Sequence, residues 1–241
     1  MIPVVFVHGF MGGSKQWSAQ VAALSDYSVI AIDLPGYGEN AHLNAFNSIA
    51  AMASWVLDEL AALGTPRFHL VGHSMGGMVA QQMVVQSPER VERLVLYGTG
   101  AQGVLPGRFE TIEASKNRAQ TDGAKATARR IAATWFLAND KATQFNECAE
   151  LAERSSMQAI LAGLEAMKCW TGIAHLSSIN MPTLVVWGDQ DRTYSWSQTE
   201  QLWHSIDHAS LKIIPDCAHA AHLEKPQVFN SLLVEFLAAK T

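Results

Sequence analysis

Six short and almost wholly apolar runs recur along the chain, at residues 4–7, 29–32, 68–71, 94–97, 183–187 and 210–214, with longer stretches of helical character separating several of them. Most of the runs are continuous rather than alternating, which is the pattern of strands covered on both faces and hence of a parallel sheet. Parallel neighbours cannot be joined by tight turns and need crossover connections, so the sequence reads as βα units around one mostly parallel sheet. The length of 241 residues does not choose between one large domain and two small ones, but 49% hydrophobic and 16% charged residues allow a sizeable core.

Two helices are legible at once. Ile49, Met52, Val56, Leu60 and Leu63 recur three or four apart behind Asn47 and Ser48 as caps, and Gly64 and Pro66 mark the end. Near the end of the chain, Pro226 suits a first turn, and Val228, Phe229, Leu232, Leu233, Phe236 and Leu237 form one apolar stripe. From about Gly100 to Ser178 no strand-like run appears, and Ala, Glu, Lys, Arg and Gln dominate. This stretch predicts several helices inserted between two strands: a core of residues 1–100 and 178–241 with a helical lid at 101–177. Trp135 and Trp170, within the insertion, are candidates for lining a substrate pocket, although aromatics at helical spacing commonly serve packing alone.

The net charge of −5, with no long basic run, argues against nucleic acid or an anionic membrane surface as a partner. The apolar start, residues 1–8, is too short to span a bilayer and lacks the features of a signal peptide. Cys148, Cys169 and Cys217 are odd in number and irregularly spaced, which fits reduced thiols and a cytoplasmic location better than a disulfide framework. Cys217 is two residues from His219 and should point away from it along an extended chain. No zinc-ligand spacing or phosphate-cradling loop is present, so no metal or organic cofactor is expected.

Gly72-His73-Ser74-Met75-Gly76 matches Gly-x-Ser-x-Gly, directly after one strand run and before a helix that ends near Ser87-Pro88. A strand turning sharply into a helix forces the serine into a strained conformation with its hydroxyl raised, and the flanking glycines leave room for the turn. Ser74 is therefore the candidate nucleophile. The N–H of Met75, at the start of the helix, would face a developing oxyanion. His8-Gly9-Phe10-Met11-Gly12-Gly13 follows the first run, and the N–H of Phe10 is the natural second donor. His8 itself suits holding that loop better than acting as a base.

A serine nucleophile needs a base, and the base an orienting acid. The loop after the last strand run carries His219, with His222 as its rival. Asp189 and Asp191 follow the fifth run, and Asp33 and Asp216 are further alternatives with ordinary roles in turns or caps. The order Ser74, Asp191, His219 fits a strand–turn–helix nucleophile.

Four signatures in order, His8-Gly9-Phe10, Asp33-Leu34-Pro35-Gly36-Tyr37-Gly38, Gly72-His73-Ser74-Met75-Gly76-Gly77, and Gly188-Asp189-Gln190-Asp191 with His219 and Glu224-Lys225-Pro226, resemble those of the α/β-hydrolase superfamily. The resemblance runs along nearly the whole chain outside the lid. It implies Asp191 as the acid, His219 as the base, and Phe10 and Met75 as oxyanion donors. It also implies that two strands usually preceding the first are missing here, leaving about six instead of eight. Ala218 replaces the usual glycine before the histidine. Ser74 argues against dehalogenases and epoxide hydrolases of the superfamily, which carry aspartate at that position.

The lid resembles those of small-molecule carboxylesterases and enol-lactonases, which implies hydrolysis of a carboxylic ester or lactone through an acyl-enzyme on Ser74. Alternatives are a lyase like the menaquinone-pathway synthase, weakened by Met78 where that enzyme has arginine, a carbon–carbon bond hydrolase, weakened by His73 and Ala220, and a ligand receptor with slow turnover. Oligomeric state is not readable.

Overall fold

In the computed structural model, residues 2–104 and 110–239 are described. The apolar runs are the strands β1 (Val4–Val7), β2 (Val29–Ile32), β3 (Phe68–His73), β4 (Val91–Tyr97), β5 (Thr183–Gly188) and β6 (Ala209–Ile214). They form one sheet in the order β2-β1-β3-β4-β5-β6, and every pairing is parallel, so the expected six-stranded sheet is realised with no antiparallel member.

The alternation of side chains along a strand explains why the runs are apolar throughout. Val5 and Val7 of β1, Leu70 of β3 and Leu94 and Leu96 of β4 enter one core cluster, with Met52, Val56 and Leu60 from helix α2 and Met78 and Met83 from α3. Val4, Phe6, Val71, Val95 and Tyr97 enter a second cluster on the opposite face, with Phe229, Leu233 and Leu237 of the last helix. Each strand is thus buried on both sides, as doubly covered parallel sheets require.

Ten helices are described: α1 (Ser18–Ala23), α2 (Ile49–Ala62), α3 (Met75–Gln86), α4 (Ile112–Asp122), α5 (Ala124–Thr134), α6 (Phe145–Ala152), α7 (Met157–Lys168), α8 (Trp196–Ser205), α9 (Ala221–Glu224) and α10 (Pro226–Ala238). Four of these, α4 to α7, fall between β4 and β5, in the stretch where the sequence shows no strand. Residues 105–109 of that stretch lie outside the described residues. None of the described helices is long and apolar enough to cross a membrane.

The strand order reverses beside β1. The chain steps from β1 outward to β2, then crosses back to β3 on the other side. Connections leaving adjacent strands in opposite directions open a crevice at their carboxyl ends, the usual ligand position in such sheets. The loop after β1 and the turn after β3 both end there.

Candidate active site

The turn from β3 into α3 has no intervening residue except Ser74, whose backbone adopts φ 56° and ψ −120°. For a residue with a Cβ this conformation costs about 1–3 kcal/mol and persists only when its surroundings impose it. They do. The Ser74 N–H donates to Tyr97 O at 3.0 Å, and its carbonyl accepts from Gly77 N, Met78 N and the Thr99 hydroxyl at 2.9, 3.3 and 2.8 Å. Glycine at 76 is dictated by proximity, since a Cβ there would lie 2.3 Å from Val7 O and 2.5 Å from His8 O. The first turn of α3 therefore presses against the carboxyl end of β1, bringing the loop 8–13 beside Ser74.

His8 fixes that loop. Its Nδ1–H donates to Gly9 O at 2.7 Å, and its Nε2 accepts from Leu34 N at 3.0 Å. Both ring nitrogens are occupied, and burial lowers the pKa of the imidazole. Asp33 is likewise committed to structure, since its carboxylate accepts from the N–H and hydroxyl of Ser14 at 2.8 and 2.6 Å. The N–H groups of Phe10 and Met75 meet no protein acceptor among the described residues, although Met75 is fully buried. Unpaired buried N–H groups are uncommon in proteins and mark a place where something else accepts.

His219 stands in the loop after β6, and its Nδ1 lies 2.9 Å from Asp191 Oδ2, both side chains being buried. The other carboxylate oxygen accepts from Thr193 N at 2.7 Å and Tyr194 N at 3.2 Å, so the acid is held at both oxygens. Nε2 is then the ring nitrogen of His219 that does not face Asp191. His222, whose ring lies 5.2 Å from that of His73, has no carboxylate partner among the described residues. It stacks on Trp17 at 4.5 Å, and burial brings its pKa down to about 3. Cys217 turns from the site: its thiol is buried, reaches Ile214 O at 3.3 Å, and is pushed up to about 12 first by burial.

Around His219 are groups for which the sequence offers no signal. Its carbonyl accepts from the Tyr97 hydroxyl at 2.6 Å and from His73 Nε2–H at 3.0 Å. Its ring packs against those of His73 at 4.5 Å and Tyr194 at 5.6 Å. Glu224, quoted above only as part of a signature, accepts from Ala218 N and Leu137 N, both at 2.7 Å, and so ties the histidine loop to the segment after α5.

Ser74, His219, Asp191 and Phe10 line one cavity of about 530 Å³, within the range of small-molecule sites. Trp135 also lines it, as do Leu164 and Met167 of α7. Trp170 is not among its lining residues. Its indole N–H donates to Gln82 on α3 at 3.2 Å, and the ring borders a much smaller pocket, so its position after α7 does not bring it to the cavity.

A family model described as alpha/beta hydrolase fold matches residues 2–226. A protein of Variovorax paradoxus, provisionally named carbamate hydrolase RutD, is 30% identical over 98% of this chain and 91% of its own length. Among solved structures, a thermophilic esterase from Thermogutta terrifontis superposes with a TM-score of 0.88 at 25% identity, covering 98% of this chain and 89% of that one. The enol-lactonase from Burkholderia xenovorans LB400 shares the fold, with a TM-score of 0.90 at 24% identity over 99% of this chain and 92% of its own.

Proposed function

The chain belongs to the alpha/beta hydrolase fold family, and from that premise we propose that it hydrolyses a carboxylic ester or lactone of a small molecule through an acyl-enzyme on Ser74. One arrangement carries the proposal: a strained serine and a carboxylate-held histidine line a single cavity, beside two N–H groups with no protein acceptor among the described residues.

In the proposed reaction the Ser74 hydroxyl attacks the carbonyl carbon while Nε2 of His219 takes its proton. Asp191 stabilises the imidazolium and holds the proton on Nδ1. Negative charge collects on the former carbonyl oxygen, where the N–H groups of Phe10 and Met75 donate to it, each donor typically worth about 10²–10³ in rate. His219 returns the proton to the departing alcohol. Water then attacks the acyl-enzyme by the same route and frees the acid. Helices α4 to α7 serve as the lid, with Trp135 against the substrate. The three free cysteines suit a reducing compartment, which keeps the cytoplasm as the proposed location.

The name of the Variovorax relative brings in a second substrate class, since a carbamate carbonyl could meet the same nucleophile. Stopped-flow hydrolysis of p-nitrophenyl acetate, butyrate and octanoate, and of a p-nitrophenyl carbamate, tests both. A burst followed by steady turnover, both lost in Ser74→Ala, is expected. Equal rates for wild type and Ser74→Ala on every compound would overturn the serine mechanism.

A further inference from the structure

Helix α5 turns Thr127, Arg130, Ile131 and Thr134, followed by Trp135, toward the cavity. Their spacing of three and four places them on one face. A lid helix built only to cover an alkyl chain would carry aliphatic residues along such a face. Here most of the face is polar. Thr134 is already committed, its hydroxyl donating to Ile131 O at 2.7 Å. Thr127 is 1% exposed and its hydroxyl has no partner among the described residues.

Arg130 differs from the other cationic group on the cavity wall. Arg192 donates to Asn139 Oδ1 at 2.8 Å and Leu137 O at 3.1 Å, which pins it to the lid. The guanidinium of Arg130 carries five N–H donors, yet its nearest carboxylate oxygens stand at 3.7 Å from Nε (Asp122) and 3.9 Å from Nη1 (Glu110), beyond hydrogen-bond reach. Its Nε is buried with no acceptor among the described residues. Both carboxylates have other partners. Glu110 accepts from the Ser115 hydroxyl at 2.8 Å, and Arg118 lies 3.8 Å from Glu110 and 3.4 Å from Asp122. Among the described residues two guanidinium groups face two carboxylates and leave this cluster neutral, so it is not a general trap for anions. It offers directed donors instead.

We propose that Arg130 is a binding subsite for an oxygen acceptor, a carboxylate or a second carbonyl, on the part of the substrate remote from the scissile bond. The preferred substrates are then small dicarboxylic half-esters or diesters rather than plain alkyl esters. This inference deepens the ester-hydrolase reading and rests on it for the identity of the reacting bond. Binding at Arg130 can still be measured independently of turnover.

The probes are the monomethyl and dimethyl esters of succinate, glutarate and adipate, with methyl hexanoate as the acceptor-free reference. The variants are Arg130→Met, which keeps most of the stem and loses the donors, and Arg130→Lys, which keeps charge and loses the fork. In wild type, the best acceptor-bearing ester should exceed methyl hexanoate in kcat/KM. In Arg130→Met that ratio should fall about ten- to hundredfold, the range for a hydrogen bond involving a charged group, with a smaller fall in Arg130→Lys. A loss confined to the half-esters identifies a carboxylate as the ligand group, and a loss shared with the diesters identifies a carbonyl; both support the subsite. An unchanged ratio in both variants overturns it. Calorimetric titration of Ser74→Ala and of Ser74→Ala combined with Arg130→Met with the same esters separates the two hypotheses. If no ester is turned over in a Ser74-dependent way, the hydrolase mechanism fails, while tenfold weaker binding without Arg130 still upholds the subsite. Equal binding by the two proteins, or none by either, overturns it.

Discussion

Two hydrogen bonds converge on the backbone carbonyl of His219, from the Tyr97 hydroxyl and from His73 Nε2–H. The same Tyr97 oxygen accepts from the N–H and the Nδ1–H of His222, both at 3.2 Å, so one phenol joins the two histidines of the loop. Tyr97→Phe keeps the ring stacked on His73 and removes this junction, leaving a carbonyl and two donors short of a partner at about 1–3 kcal/mol. The expected outcome is a lower melting temperature and a kcat reduced about tenfold at nearly constant KM. A raised KM with kcat preserved would show that Tyr97 serves substrate binding instead. Asp191→Asn tests the acid more sharply. Thr193 and Tyr194 N–H groups hold Oδ1, so the new amide nitrogen must face His219 and donate to Nδ1. That selects the tautomer with its proton on Nε2, which cannot take another from Ser74, and kcat for ester hydrolysis should fall by about 10⁴. Of these residues, Ser74 and His219 can be singled out in the sequence because the serine's flanking glycines and the histidine's loop are local features. Tyr97 closes an apolar run and looks like core, because its partner lies 122 positions away.

The β3–α3 turn shows what a single element demands of its sequence. Gly76→Ala would push a methyl group into Val7 O and His8 O, backbone atoms of β1 and its loop that cannot move without displacing Phe10. Overpacking of this kind typically costs about 1–3 kcal/mol, and here it should also separate the Phe10 and Met75 N–H groups, so esterase activity should fall further than stability. Gly64→Ala is the matched control. Its φ of +67° carries a strain of about 1–2 kcal/mol, but the added methyl meets nothing within 4 Å. Denaturant melts with parallel ester assays should show comparable destabilisation in the two variants and a loss of activity in Gly76→Ala alone. Element boundaries were less legible than element types. Strand β4 begins at Val91, three residues before the apolar run, because Glu92 and Arg93 interrupt it. Glu92 pairs with Arg67, and Arg93 lies 5.5 Å over the Phe236 ring and is 7% exposed. Charge in a strand hides it from a search for apolar runs when the partners come from other elements. In α5 the cavity-facing side is polar for a similar reason: its neighbour is the interior of a cavity, not a core.

Across the whole molecule, the sheet order sets the crevice, and the crevice draws histidines into the interior. His8, His73 and His222 are buried at the carboxyl ends of β1 and β3 and in the short helix α9. Burial is the first cause lowering the pKa of each, with His219 adding repulsion at His73 and His222. All three are therefore neutral in the folded protein at pH 7, whereas in the unfolded chain they titrate near 6.5. Below that value the unfolded state binds more protons, so folding stability must fall as pH drops and must level off only below the depressed folded pKa, about 3 for His222. A histidine of this kind contributes a slope of up to about 1.4 kcal/mol per pH unit, reached only between 6.5 and its own folded pKa. The carboxylates with shifted pKa, Glu39, Glu113 and Glu165, are lowered by hydrogen bonds to lysines or an arginine on the surface. Their effect has the same sign but begins only near the ordinary carboxylate range. The interval from pH 6.5 to 5 is thus governed mainly by histidines. Urea unfolding at pH 7.5, 6.5, 5.5 and 5.0 should give a shallow decline of about 1 kcal/mol between the first two values and a much steeper one below. His222→Asn, which retains a side-chain N–H for Tyr97 but cannot titrate, should lower that slope by about 1.4 kcal/mol per pH unit. A slope identical to that of the wild type would mean that His222 is not held neutral in the folded chain, and a flat wild-type profile down to pH 5 would mean the same for all three.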